Sequence, residues 1–426
     1  MAFAADAPKG NFRLSMLVYD TRFRSITIQV VVLILFGLAL AWLLNNVSEN
    51  LAAKGRPFNY GFLFSPSGYD IAQTLIPYDS NMTHFRALLI GLLNTLVVAI
   101  VGCILATIIG VLVGVLRLSK NWLVARLMTV YVEIFRNIPV LLWILVIFVP
   151  LTELTPSPNA FKLTQAMQDA GAVPASNMAI FGTVAFTNRG TYIPWPAFDA
   201  PFGSVAVGGV SINLTFLAAV VVVGLGLWIS RTIARRARIV QETTGVRPTT
   251  WWSRLLVVFG PLIVVLYLAG FHLDIPQPPT KFNFVGGVLL PHPFTALTIA
   301  LALYTGAFIA EIVRSGILAI SRGQSEAAFA LGLRPNRTMN LVILPQALRV
   351  IIPPLISQYL NLTKNTSLGV AVSYMDLRGT LGGVTLNQTG RELECMLLMM
   401  GIYLTISLLI SSVMNFYNRS VQLKER

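Results

Sequence analysis

Charge is scarce in this chain. Asp, Glu, Lys and Arg make up 11% of its 426 residues, against about a quarter in an ordinary soluble domain. Apolar residues reach 55% and mean hydropathy is +0.72, which excludes a water-soluble globular body. Cysteine is nearly absent. Cys103 and Cys395 both fall in apolar stretches, so they read as packed thiols rather than a disulfide. His84, His272 and His292 stand far apart at span ends; without ligand spacing they suggest interfacial positions and no metal site. The phosphate loop G-x-x-x-x-G-K-[ST] occurs nowhere, so ATP hydrolysis by this chain is not expected. No catalytic triad or paired-carboxylate signal occurs, and an embedded enzyme has nothing behind it.

Long apolar runs are abundant. About 20 apolar residues cross a bilayer as a helix. Eight runs qualify: 25–46, 87–116, 138–153, 211–230, 255–271, 293–318, 347–372 and 393–415, the third and fifth being short. The first is long enough to stay in the membrane rather than be cleaved as a signal. The expected fold class is an all-α integral membrane protein with about eight transmembrane helices. The net charge of +14 does not point to nucleic acid, because the basic residues concentrate in alternate segments between runs. Lys9, Arg13, Arg22 and Arg24 precede the first. Arg117, Lys120, Arg126 and Arg136 follow the second, and Arg231, Arg235, Arg236, Arg238, Arg247 and Arg254 follow the fourth. Arg314, Arg322, Arg334, Arg337 and Arg349 follow the sixth, and Arg419, Lys424 and Arg426 follow the last. They outnumber the basic residues of the other segments by more than two to one, which predicts both termini on the cytoplasmic side. The opposite segments 47–86 and 154–210 are rich in Pro, Gly, Asn and aromatics. Tyr192, Trp195 and Phe198 there read as the core of a small external cap or as an interfacial belt.

Between the sixth and seventh runs lies EAAFALGLRPNRTMNLVILPQA. Ser325 is placed to cap a short helix, and Glu326 in its first turn suits the helix dipole. Ala327 and Ala328 are small and strongly helical. Gly332 marks a helix end, with Pro335 three residues on. The product is a short, small-faced helix outside the bilayer, a shape that docks into a groove. The spacing E-A-A-x3-G-x9-[IV]-x-L-P, carried by Glu326, Ala327, Ala328, Gly332, Leu344 and Pro345, resembles the cytoplasmic coupling loop of bacterial ABC importer permeases.

Further motifs resemble the polar amino-acid branch of that family, in two blocks. The first, about 88–150, holds Asn94-Thr95 and Tyr131-Val132-Glu133-Ile134-Phe135-Arg136-Asn137-Ile138-Pro139. The second, about 297–420, holds Tyr304-Thr305-Gly306-Ala307, the string from Glu311 to Ile317, the coupling loop, and Lys364-Asn365-Thr366-Ser367-Leu368. The resemblance implies a five-helix type I importer core in the bacterial inner membrane. It implies a second permease subunit forming a heterodimer and two copies of a cytoplasmic ATPase that bind ATP and Mg. It also implies a periplasmic amino-acid-binding protein; this chain would bind no cofactor itself. The core would occupy 87–150 and 293–426, with the coupling loop at 321–345. Residues 1–86 and 151–292 depart from the short family pattern by adding one and two spans. Such enlarged permeases resemble one of the paired subunits of broad-specificity L-amino-acid importers.

Candidate path residues follow from polarity inside spans. Glu311 and Arg314 share a helix face, either as a gate or cavity pair or as a structural ion pair with Arg314 snorkelling. Asn361, Lys364, Thr366 and Ser367 interrupt an apolar span after a Pro353-Pro354 break. A broken helix can hold a zwitterion at mid-depth, and the same groups can instead hydrogen-bond a partner helix. Tyr304, Asn94 and Thr95 complete the candidates. Glu133 and Arg136, again three apart, read as support on the cytoplasmic side. The competing class is an ion-coupled secondary transporter or channel, which would use the intramembrane charges but leaves the coupling loop unexplained.

Overall fold

A computed structural model describes residues 21–53, 55, 57–162, 176–207, 210–246, 248–279 and 283–421. Lys9, Arg13, Arg247, Lys424 and Arg426 of the orientation count lie outside the described residues, as do residues 1–20 of the N-terminal segment. Ten principal helices carry the fold: α1 Thr21–Ala53, α2 His84–Leu116, α3 Trp122–Asn137, α4 Val140–Glu153, α5 Leu214–Thr244, α6 Trp251–Leu268, α7 His292–Leu318, α8 Arg322–Ala330, α9 Leu344–Asn365 and α10 Glu392–Val421. Among the described residues, seven helical segments are long and apolar enough to cross a membrane, and α3 with α4 makes an eighth if the bent pair is one span. The eight expected runs therefore all appear. At about 1.5 Å per residue, α4 reaches only some 21 Å. It meets α3 at 105° because Pro139, the residue before α4, has no N–H to continue a helix.

The core is built on α2 and α7. Gly102, Ala106, Gly110 and Gly114 recur every fourth residue of α2, the small-x-x-x-small spacing that lets transmembrane backbones approach. A Cβ added at Gly110 would lie 2.9 Å from the carbonyl oxygen of Gly306 on α7, and one at Gly114 would lie 2.7 Å from that of Ala310. Gly102 faces Leu362 of α9 instead. Gly110→Val is therefore expected to push α2 off α7 and cost several kcal/mol, as overpacking without relief does. Its measured consequence is loss of the chain from the membrane fraction, while Gly37→Val on open α1, where a Cβ meets nothing, stays at the normal level.

The added spans stand apart. No residue in the most apolar window of α1 is buried within the chain, and none is in that of α6. α5 and α6 pack on each other as an antiparallel hairpin, Gly226 lying against Val257 and Val258.

Among the described residues, the segments between spans hold seven short strands that the all-helical expectation did not include. They are β1 Ala185–Thr187, β2 Gly190–Ile193, β3 Trp195–Phe198, β4 Ser204–Val207, β5 Val210–Asn213, β6 Phe271–Asp274 and β7 Val288–Leu290, paired antiparallel as β1-β2-β7, β3-β6 and β4-β5. Three or four residues are too few to show a period of two. Tyr192 is buried with Phe161, Ala185 and Phe284, its ring 4.6 Å from that of Phe284. Trp195 is exposed and Phe198 tilts against Phe271. A small cap exists, and of the three aromatics only Tyr192 belongs to its core. Burial raises the Tyr192 phenol above its ordinary pKa.

Two histidines depart from the interfacial expectation. His84 and His292 are buried. His292 Nε2 donates to the Thr187 carbonyl at 2.7 Å, and His84 Nδ1 is 3.1 Å from Thr385 Oγ1. Both tie a span end to a loop. Cys103 and Cys395 are free thiols, as expected.

Candidate functional site

The coupling segment begins one turn earlier than its composition suggests. Ser321, not Ser325, precedes α8, so Glu326 sits in the second turn rather than the first. The far end follows the expectation. Gly332 adopts φ +77°, its N–H bonds the Phe329 carbonyl at 2.9 Å, and the Leu333 N–H bonds that of Ala328 at 3.0 Å. That pair of bonds is the Schellman closure a left-handed glycine permits. Pro335 opens a short helix, Pro335–Thr338; a π-helical turn, Met339–Ile343, then leads into α9 at Leu344-Pro345. Ala328 alone of α8 is buried. Glu326 and Ala327 are exposed, and Phe329 and Leu331 are 49% and 83% exposed. A carboxylate and two large apolar side chains thus project from a helix held by one small residue.

In the C-terminal half of α7, Glu311 gathers three arginines. Arg314 Nη1 donates to Oε1 at 3.0 Å; Arg117, just past α2, donates to Oε2; Arg136 at the end of α3 lies 4.0 Å from Oε2. The Arg117 side chain is 7% exposed. The Arg136 guanidinium stands 5.2 Å from the Phe308 ring centre, a cation–π distance, and Phe308 lies 5.0 Å from Tyr304. Tyr304, Phe308, Glu311 and Ser315 follow one another at helical spacing along a partly exposed face of α7. Glu133 and Arg136 do not bond each other: Arg136 turns to Glu311, and Glu133 accepts a weak bond from Asn137 at 3.4 Å. Sequence reading named Arg136 as a supporting residue but joined neither it nor Arg117 to Glu311, because that partner lies on a helix far along the chain.

The expected Pro353-Pro354 break does not occur. α9 runs through both prolines to Asn365, as transmembrane helices tolerate when neighbours resatisfy the backbone. The break falls at Thr366–Val372, which is 3₁₀-helical. Asn361 and Lys364 are exposed on α9, on the same face as Ser357. Thr366 is buried and donates to the Thr363 carbonyl at 2.8 Å; Ser367 donates to that of Lys364 at 2.8 Å.

Asn94 and Thr95 are buried fasteners. Asn94 Nδ2 donates to the carbonyls of Gln73 and Met375, both at 2.9 Å, and Thr95 Oγ1 accepts from the Leu377 N–H at 3.0 Å. Through them, the segment that follows α9 is drawn inward: Asp376, Leu377, Thr380, Leu381 and Thr385 are buried. Burial pushes the Asp376 carboxyl up to about 6, against hydrogen bonds from the Gly379 N–H and the Tyr403 hydroxyl.

A groove of about 1390 Å³ opens between α2, α9 and α10, lined by residues such as Leu96, Ile104, Tyr359, Leu397 and Ile402. None of the expected path residues lines it, and its apolar wall suits hydrocarbon rather than a polar solute.

The comparisons with known proteins bear on the whole chain. Residues 246–423 match the family described as the binding-protein-dependent transport system inner membrane component. The glutamate/glutamine/aspartate/asparagine transport system permease protein BztB of Rhodobacter capsulatus is 66% identical over all of both chains. The chain belongs to this permease family. The general L-amino acid transport system permease protein AapQ of Rhizobium johnstonii is 41% identical over 98% of this chain and 96% of its own. The amino-acid ABC transporter permease YhdX of Escherichia coli is 40% identical over 91% of each. The permease is thus the multi-pass inner-membrane subunit of an ATP-driven importer, which sets aside the ion-coupled alternative. Full-length similarity to enlarged relatives extends over the α5–α6 hairpin and the cap as well.

Proposed function

We propose that this permease carries polar L-amino acids, with the acidic and amide side chains among them, and takes its driving force from a separate ATPase at α8. The observation that carries the coupling half is the exposed triad Glu326, Phe329 and Leu331 on a helix fixed through Ala328; this is a surface shaped to be held from outside. The printed names of the full-length relatives support the substrate half. With both termini cytoplasmic, α8 lies on the side where ATP is found. A second permease completes the path, and two ATPase copies that bind ATP and Mg close beneath it. The exposed polar face of α9 at Asn361 and Lys364, and the α7 face from Tyr304 to Glu311 and Arg314, supply path walls. Polar groups inside a span normally face a bundle interior or a cavity. Thr366, Ser367, Asn94 and Thr95 act behind those walls by fixing the helix break and the 373–377 segment.

The test is ATP hydrolysis by the purified complex in lipid discs, with its external binding protein and single amino acids. Glutamate, aspartate, glutamine and asparagine are expected to stimulate hydrolysis at least about tenfold. A complex that hydrolyses ATP equally with and without them overturns the substrate assignment; a permease that purifies without any ATPase overturns the coupling assignment.

A further inference from the structure

The α5–α6 hairpin carries a feature that transport does not use. At about 1.5 Å per residue, α5 is roughly 46 Å long, against some 30 Å of hydrocarbon. Its apolar part ends at Ser230, and Arg231, Arg235, Arg236 and Arg238 follow, all exposed. α6 is shorter and starts at Trp251. One bond fixes the level of the two helices: Arg254 Nε donates to Ser230 Oγ at 3.1 Å. That level is where apolar sequence gives way to basic sequence on both helices, so it marks the membrane surface. Trp251 and Trp252 stand within a turn of it, stacked with centroids 4.0 Å apart and 54% and 68% exposed. Exposed tryptophans at such a level sit among lipid headgroups. The hairpin between Leu214 and Leu268 holds a single acidic residue, Glu242, about three turns beyond Arg231 and about two beyond Arg235.

We propose that Arg231, Arg235 and Arg254, with Trp251 and Trp252, hold the phosphate headgroup of an anionic phospholipid in the cytoplasmic leaflet. Guanidinium forks match phosphate oxygens in pairs, and basic residues just beyond a span draw anionic lipid. The apolar faces of α5 and α6, exposed within the chain, run alongside the acyl chains. The occupant is a lipid rather than the ATPase because the tryptophans lie at the membrane level, not below it. The proposal rests on the cytoplasmic placement of 231–250.

The experiment uses the whole importer complex in discs of about 70% phosphatidylcholine and about 30% phosphatidylglycerol, roughly twofold more neutral than anionic lipid. Lipids retained after detergent transfer are counted by native mass spectrometry. Wild type is expected to retain phosphatidylglycerol over phosphatidylcholine at least about fivefold above the input ratio. Arg231→Gln/Arg235→Gln/Arg254→Gln is expected to fall to the input ratio, and the triple Lys variant to keep most of the enrichment. Assembly of the Gln complex, read by its subunit ratio, shows that it folds. Equal enrichment in wild type and the Gln variant overturns the proposal, as does cross-linking of position 235 to the ATPase in place of lipid. Thr249→Cys, probed with an impermeant maleimide, separates failures: labelling from outside the cell overturns the orientation, whereas labelling only in inverted vesicles without lipid enrichment overturns the lipid site alone.

Discussion

Glu326→Lys is expected to abolish uptake and leave the permease in the membrane at its normal level. Glu326 is exposed on α8 and makes no packing contact that holds the helix, which is fixed through Ala328 and closed at Gly332. Lys and Glu have nearly equal helix propensity, so α8 forms in the variant. What changes is the charge offered to the ATPase. Removing one member of a desolvated interfacial charge pair costs about 2–5 kcal/mol, and reversal adds repulsion. Uptake below about 5% of wild type follows if the loss is at least 2 kcal/mol, a factor of roughly thirty. Cells expressing each form would be assayed for labelled glutamate uptake, with the permease in the membrane fraction quantified in parallel. Near-normal uptake at normal abundance removes α8 from coupling. Leu331→Ser, on the same surface, is expected to weaken the ATPase–permease association in the same direction but less completely.

Glu311→Ala is expected to have the second largest effect, by a different route. It leaves Arg117, with a side chain 7% exposed, without the carboxylate it donates to. Breaking a buried pair from one side costs about 3–5 kcal/mol, because the remaining charge stays desolvated. Arg136 and Arg314 lose the same acceptor. The complex should therefore unfold several degrees lower in lipid discs, and uptake should fall at least about tenfold. Glu311→Ala/Arg117→Ala should recover part of the thermal loss, since the stranded charge is gone; a coupling of about 0.5–3 kcal/mol is the range for residues in one network. Strict additivity of the single changes would show that the two groups do not depend on each other.

The spans were legible because 20 apolar residues have one physical use, and the coupling segment because a left-handed glycine and a proline punctuate it. Local reading failed where two serines competed for one helix start: Ser321 and Ser325 are equally good caps in isolation, and the preceding fold of the chain decides between them. It failed at Pro353-Pro354 because proline's cost to a helix depends on what surrounds it. At Asn94 and Thr95 it left two explanations of polarity in a span open, and the partners at Met375 and Leu377 supply the packing one. Arg314 was legible as the i+3 neighbour of Glu311, but Arg117 and Arg136 come from elsewhere in the chain, and no local spacing brings them to it. The close seam of α2, by contrast, was present in the sequence as Gly102, Ala106, Gly110 and Gly114.

That seam has a mechanical corollary. Helices whose backbones touch through glycine cannot slide past one another without losing the fit along their whole length. α2 and α7 therefore travel as one plank, and Arg117 and Glu311, one at the end of each, ride on it together. Arg136 belongs to the bent pair of α3 and α4, which meet at 105° around Ile138-Pro139. Its distance to Glu311, 4.0 Å, is the loosest of the three. Val140 and Ile144 bury that pair in the same core as Ile309 and Val313 of α7, so Arg136 adds a loose electrostatic tie to a joint that packing already holds.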